Sequence, residues 1–202
     1  MTPEETKQCW SRYYEFASSR LPRELLIQAM RRFGERGQYD GMAVDFGCGP
    51  GIETMTLLHH GWHVLSVDYH PEAIERVEAT VPNDIKPRLK TQQASFEQVD
   101  LPPADLIWAG YSLPFCPPQH LPQVMGNIAK ALKPGGRFAG DFFAPRHAWA
   151  DEDHATALPA DQIKEAFSSL HLEYWIEHEG ERDTAIGVQH WHAYGVIYRK
   201  PE

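Results

Sequence analysis

Cysteine is scarce in this chain: Cys9, Cys48 and Cys116 are the only three in 202 residues. Three scattered thiols form neither a disulfide framework nor the paired spacing of a zinc site. Long apolar runs are missing as well, and no stretch approaches the ~20 residues a membrane-spanning helix requires. The opening Met1-Thr2-Pro3-Glu4-Glu5 is polar and acidic, unlike a secretory leader. Basic charge is in deficit, with 19 Lys and Arg against 28 Asp and Glu and a formal net charge of −9. Without a basic run to neutralise phosphates, DNA and RNA are not expected as partners. These absences point to a reducing cytoplasm and exclude membrane and nucleic-acid roles; they leave the oligomeric state open. Internal repeats and low-complexity tracts are also lacking.

What is present is an alternation of apolar segments and turns. Hydrophobic residues make up 42% of the chain and charged residues 23%, which suits one domain with a good core. Residues 4–19 and 22–36 read as helices separated by Pro22, the second with Leu25, Leu26, Ala29, Met30 and Phe33 at helical spacing. Strands are expected at 42–47, 63–68, 89–95, 105–109 and 137–143, with helices at 52–60, 71–81 and 119–132. Strands separated by helices imply a parallel sheet covered on both faces. Lys133-Pro134-Gly135-Gly136 reads as the turn into the fifth strand. The rhythm breaks near the end. After a helix at 160–170, strands at 172–177 and 192–200 follow with no helix between them, so they would pair antiparallel through a loop containing Gly180 and Gly187.

The densest signal is Val44-Asp45-Phe46-Gly47-Cys48-Gly49-Pro50-Gly51, with Asp68 closing the next strand. It reads as a buried strand, a turn with glycines at alternate positions, and a helix. Glycines let the backbone approach a ligand with no Cβ in the way, and the helix start offers unpaired N–H groups. An acid at the tip of the next strand can accept both hydroxyls of a ribose. Together these parts describe a nucleoside pocket. A dinucleotide fingerprint would need glycine at position 52, and the residue there is Ile52. A Tyr-x-x-x-Lys pair is missing too, so a nicotinamide-dependent oxidoreductase is the lesser alternative.

The Gly47-x-Gly49-x-Gly51 spacing, with Asp45 two residues ahead, resembles the first motif of class I S-adenosylmethionine-dependent methyltransferases. There it lies beside the methionine part of the cofactor. Adding Trp10-x-x-Tyr13-Tyr14, the loop Ser112-Leu113-Pro114-Phe115-Cys116-Pro117-Pro118 and the segment His190-Trp191-His192, the chain looks most like the bacterial tellurite-resistance methyltransferase-like group. The resemblance implies an α/β fold with a seven-stranded, mostly parallel doubly wound sheet. Its strand order would be 3-2-1-4-5-7-6, with strand 7 antiparallel and helices on both faces. Residues 1–38 would be an N-terminal helical cap of the same domain, and residues 39–202 the methyltransferase domain. The implied cofactor is S-adenosyl-L-methionine. The implied acceptor is a small molecule: a thiol, a chalcogen oxyanion such as tellurite, or a small O or N nucleophile. A non-catalytic sensor or scaffold that binds the cofactor is the alternative within the same fold.

The resemblance also implies site residues. Cofactor contacts fall on Asp45, Gly47, Cys48, Gly49, Gly51, Asp68, Tyr69, Gly110 and Tyr111, with Ser95 and Phe96 flanking the adenine. Ser95 stands where an acid is usual. In related enzymes a helix before the first strand folds over the cofactor, which directs Trp10 and Arg12 to the methionine carboxylate and Tyr14 to the substrate. Tyr13 and Tyr14 read equally well as core. The loop after strand 4 lacks the Asn/Asp-Pro-Pro-Tyr/Phe of nucleobase and protein amine methyltransferases, which argues against a nucleobase amine. Cys116 has no charged sequence neighbour to activate it. His147 and His190 are candidate general bases for a neutral acceptor, in a pocket with Tyr111, Arg146 and Trp149. His190 and His192, two apart on a strand, share one face; spacing shows no third ligand, so no metal is expected.

Overall fold

The computed structural model describes residues 3–202, with side chains from Gln8 onward; Met1 and Thr2 of the polar opening lie outside them. The strands are β1 (Met42–Phe46), β2 (His63–Asp68), β3 (Leu89–Gln93), β4 (Ala104–Ala109), β5 (Leu132–Phe143), β6 (His171–Thr184) and β7 (Gly187–Arg199). They form one seven-stranded sheet in the order β3-β2-β1-β4-β5-β7-β6. Strands β1 to β5 run parallel, and β7 is antiparallel to both neighbours. This is the implied order and direction.

The central strands are apolar on both faces because helices cover both. On one face Val44, Phe46, Ile107, Phe138 and Phe142 pack beneath α5 (Leu121–Ala131) and α6 (Ala160–Ala166). On the other, Ala43, Leu106, Trp108, Ala139 and Ile197 meet α2 (Glu24–Arg31), α3 (Ile52–His59) and α4 (Pro71–Thr80). Leu26, Ala29 and Met30 of α2 are fully buried, so this helix is part of the sheet's core packing. Of the expected cap, α1 (Pro3–Ala17) is the part that lies over the glycine turn.

Three expectations shift. The second helix ends at Arg31 rather than Arg36, and Phe33 then turns inward against Tyr39 and Trp62. The terminal strands run to 14 and 13 residues, joined by Ala185-Ile186 alone. Gly180 therefore lies inside β6 opposite Trp191, and Gly187 opens β7, instead of both lying in a loop. The extra length is a ribbon of charged residues beyond the core, where no apolar alternation marks a strand. Strand β5 begins at Leu132, which pairs with Ala104 before a register shift. The Lys133–Gly136 turn is thus a bulge within the strand.

Candidate functional site

The chain leaves β1 through Gly47 (φ +88°), Gly49 (φ +51°) and Gly51 (φ +87°) and enters α3. A Cβ on Gly47 would stand 2.3 Å from Cβ of Ser112, so packing within the protein requires glycine there. Gly49 differs, since the nearest atom to its missing Cβ is in the Tyr14 ring at 3.7 Å. The Tyr14 ring thus covers the turn at this point, in ordinary van der Waals contact. Asp68 sits at the tip of β2, with Oδ2 accepting the Gly49 N–H and Oδ1 the His70 N–H, each at 2.9 Å. Burial pushes its carboxyl up.

Asp45 is buried beneath the turn, where Oδ2 accepts the Thr54 hydroxyl at 2.6 Å; that hydroxyl also bonds Ser66 at 2.7 Å. Burial, with Glu53 nearby, raises Asp45 to about 7. Glu53, in the first turn of α3, is held by both terminal nitrogens of Arg20 at 2.5 and 2.6 Å and by the Arg23 N–H at 3.2 Å. These bonds pin the α1–α2 connection to the start of α3. Cys48 is buried and its thiol is pushed well up, which makes it an inert wall.

Tyr14 is 2% exposed, with its ring against Gly49, the Arg76 guanidinium 5.8 Å from the ring centre and His70 5.9 Å away. Burial and the neighbouring Asp68 keep its phenol protonated far above the usual range. Trp10 packs edge-on to Phe115 at 4.9 Å, and Ser11 donates to Glu72 of α4. Arg12 is exposed on the outer side of α1, in a groove with Gln8, Cys9, Ala185 and Ile186. The fold brings Arg20 and Arg23, not Arg12, to the glycine turn. Tyr69 is 70% exposed beside Asp68. Phe96 packs edge-on to Phe46 at 4.7 Å, next to Gly47, while the Ser95 hydroxyl donates to Glu97 at 2.7 Å.

After β4 a Cβ on Gly110 would collide with Trp108 at 2.4 Å. Tyr111 follows at φ +53°, among the described residues the one non-glycine residue at positive φ. Such strain persists where surrounding contacts enforce it. Here the Trp191 indole donates to the Tyr111 hydroxyl at 3.3 Å, and the Arg23 guanidinium lies 4.5 Å from the ring centre. Burial, then the nearby Asp141, pushes this phenol up to about 12. Ser112 donates to the Phe46 carbonyl and ties this loop to the glycine turn. Phe115, Phe143, His147, Trp149 and Trp191 pack beside it as an aromatic cluster, the mouth of the candidate site.

His147 is buried and stacked on Phe143 at 3.7 Å. Its Nδ1 accepts the Trp149 N–H at 3.1 Å, which leaves the proton on Nε2, and Nε2 has no partner among the described residues. Burial, with His190 and His192 nearby, lowers it to about 4. With its lone pair engaged and its cation disfavoured, the ring is a poor proton acceptor; this corrects the expectation of His147 as a base. His190 has its imidazole between Glu179 and Glu181 at 3.4 and 3.2 Å, while its carbonyl accepts the Ala148 N–H at 3.0 Å, beside His147 and Trp149. The shared face of His190 and His192 is real, because the register sets them opposite Glu181 and Glu179. His192 is fully buried; it accepts the Arg146 N–H at 3.0 Å and lies 2.7 Å from Glu177. Glu177, Glu179 and His192 each bring a ligand-type atom within 4.8 Å of the others, but the Arg146 guanidinium already bonds both glutamates.

Sequence reading missed Arg20, Arg23, Glu53 and Asp141. Asp141 carried a signal: it is the one charged residue in the apolar run Phe138–Phe143, where burying a charge needs a reason. It is 5% exposed, its Oδ2 has no partner among the described residues, and burial raises it to about 7.

Residues 43–136 match the family model described as a methyltransferase domain. The carboxy-S-adenosyl-L-methionine synthase of Erwinia tasmaniensis is 26% identical over 104 residues, covering 49% of this chain and 42% of that protein. The chain thus spans less than half of that relative's length. Among solved structures, TehB from Haemophilus influenzae matches with a TM-score of 0.74 at 15% identity, over 94% of this chain and 67% of TehB. The N-methyltransferase NodS from Bradyrhizobium japonicum, solved in complex with S-adenosyl-L-homocysteine, matches with a TM-score of 0.73 at 19% identity, over 98% of this chain and 99% of NodS. The fold is that of the class I S-adenosylmethionine-dependent methyltransferases. At the level of the fold the chain resembles TehB.

Proposed function

We propose that this protein is an S-adenosylmethionine-dependent methyltransferase that acts on a small-molecule acceptor in the cytoplasm. The observation that carries the reading is the direct junction of two parts. A glycine turn covered by the Tyr14 ring, with a carboxylate at Asp68, is tied through Ser112 to an aromatic cluster. Gly47, Gly49 and Gly51 would carry the methionine part, with Asp45 and Cys48 beneath them. Asp68 would take the ribose hydroxyls. Phe96 and the exposed Tyr69 would flank the adenine, beside Ser95, and Gly110 and Tyr111 would face the sulfur. Trp10 and Tyr14 would close over the whole.

When bound, the cofactor supplies a methyl group on a positively charged sulfonium for in-line displacement. The rings of Tyr14, Tyr111 and Trp149 can steady positive charge through their faces. Closure of α1 would exclude water, and acceleration would come mainly from holding the acceptor in line. Among the described residues no helix is long and apolar enough to cross a membrane. The acceptor in this reading is a thiol, a chalcogen oxyanion such as tellurite, or a small O or N nucleophile.

Calorimetry with S-adenosylmethionine and S-adenosylhomocysteine tests the cofactor, followed by an acceptor panel read by release of the demethylated product. Binding of both with turnover of a small acceptor is the expected result. Heat with a nicotinamide dinucleotide and with neither of these ligands would overturn the assignment. Binding without turnover on any acceptor would favour a sensor.

A further inference from the structure

At the carboxyl ends of β4 and β5 lies a polar group that cofactor binding does not explain. Asp141 projects from β5 into the face shared with Ala139, Leu25 and Arg23, inside an otherwise apolar strand. Its neighbour across the ladder is Gly195, where a Cβ would press within 3.3 Å of Asp141 Oδ1. The fold thus keeps a place for the carboxylate by leaving a side chain out. Yet Oδ2 is buried with no partner among the described residues, and so is Nε of Arg23, whose guanidinium stacks on Tyr111. A structural ion pair would join such groups to each other, because a buried donor or acceptor left unmade is costly. The Glu53 carboxylate is satisfied in that way by both terminal nitrogens of Arg20 a short distance off, although Nε of Arg20 is itself buried without a partner among the described residues. Asp141 and Arg23 instead leave one acceptor and one donor unused beside the strained Tyr111. In open α/β sheets this end of the strands is where substrates bind.

We propose that Asp141, Arg23 and Tyr111 form the acceptor subsite, and that Asp141 takes the proton from an acceptor whose nucleophilic nitrogen or oxygen carries one. The ligand is a small amine or alcohol that also presents an oxygen to Nε of Arg23. This rests on the methyltransferase reading and narrows its substrate class. The acceptor N or O forms a bond to the methyl carbon of the sulfonium donor as the sulfur–carbon bond breaks. That bond's electron pair stays on sulfur as a neutral thioether. The N–H or O–H proton passes to Asp141 Oδ2, and the resulting acid returns it to water after product leaves. Burial raises the Asp141 carboxyl to about 7, against Arg23, which faces it from the start of α2, Arg182 from β6, and Arg20; Glu53 of α3 reinforces burial. Tyr111 faces it from the loop after β4. A carboxylate titrating near neutrality suits a general base. Thiolates and oxyanions, which carry no proton to lose, do not need it.

The test compares wild type with Asp141→Asn and Asp141→Glu. Calorimetry with S-adenosylmethionine comes first and should give the same affinity, within about twofold, for all three, since the cofactor residues are untouched. With hydroxyl and amine acceptors, Asp141→Asn should lose about 100-fold in rate. The rise of kcat/KM through about pH 7 should vanish in that variant, and Asp141→Glu should recover part of both. An independent readout is carboxyl carbon NMR of the ligand-free protein, in which the Asp141 resonance should titrate near neutral pH and shift when acceptor is added. The proposal is overturned if Asp141→Asn matches wild type on every acceptor, or if thiols and tellurite are the sole acceptors. Wild type that binds no S-adenosylmethionine would instead remove the methyltransferase reading beneath it.

Discussion

The two sides of the site treat buried carboxylates in opposite ways. On the glycine-turn side, Asp68 is held by two backbone N–H groups, Asp45 by a hydroxyl and Glu53 by a bidentate arginine. On the β5 side, Oδ2 of Asp141 has no partner among the described residues. On the first side the carboxylates are already partnered, although Nε of Arg20 and Nδ1 of His70 are buried there without partners among the described residues. The second is receptive, with polar capacity reserved for something that enters. Binding and chemistry are thus separated across the short distance from β1 to β5.

The largest way to break this contrast is to remove a partner on the first side. Arg20→Ala leaves Glu53, whose side chain is 5% exposed, as a buried and unpaired charge. Removing one partner of such a pair costs about 3 kcal/mol. Urea denaturation should show that loss, and a change below about 1 kcal/mol would mean the pair is not buried as described. Asp68→Ala comes next, and acts on the ligand more than on the fold. It removes a charged acceptor for two hydroxyls and should weaken S-adenosylmethionine binding by about 2 to 3 kcal/mol. A loss of the same size in unfolding stability, with ligand affinity retained, would assign Asp68 to the turn alone.

The pH dependence of stability sharpens the contrast further. The folded Asp141 carboxyl titrates at about 7 against 3.8 for the free group, and Asp45 does likewise. Between those limits the folded state holds protons that the unfolded chain has released, so this contribution to stability falls as pH rises from about 4 to about 7. His147 acts with the opposite sign. It stays neutral in the fold down to about 4, whereas the ordinary value is 6.5, so its contribution falls as pH drops through that window. Asp141→Asn deletes one falling component. Relative to wild type it should gain about 2.5 kcal/mol between pH 5 and pH 8, read from melting curves. A pH-independent difference would mean that Asp141 is already ionised in the fold at pH 5.

The same division governs how much was legible in the sequence. The glycine turn is contiguous, from Asp45 to Gly51, and its acid follows one strand later, so local spacing exposed it. The strand order came with it through the resemblance, and the structure has that order. Arg20, Arg23 and Asp141 meet only because α2 packs on β5, a tertiary contact with no sequence period. Arg12 and Arg20 are both arginines ahead of the first strand; which one turns inward depends on Glu53, far along the chain. The ribbon was underestimated because its β6 half carries charge on both faces and its β7 half opens Gly-Val-Gln, so alternation of apolar and polar carries no signal. Tyr14, read as either core or site, is buried and also lies on the glycine turn.

The smallest expected effect belongs to His190, and it tests where the receptive side ends. His190 is 42% exposed at the side chain, between Glu179 and Glu181 on the neighbouring strand. Exposed pairs of this kind contribute roughly 0 to 1 kcal/mol, because solvent screens them and long side chains lose freedom in making them. Its imidazole lies on the ribbon's charged face, whereas Trp191, the next residue, reaches Tyr111 in the mouth. His190→Ala should therefore change the rate with the best acceptor by less than about twofold, a shift under about 0.5 kcal/mol, and leave cofactor affinity alone. A loss of tenfold or more with unchanged cofactor binding would give a different picture. The His190 imidazole would then have to leave its glutamates and swing toward Trp149 during turnover, and the base would belong to β7 rather than to β5.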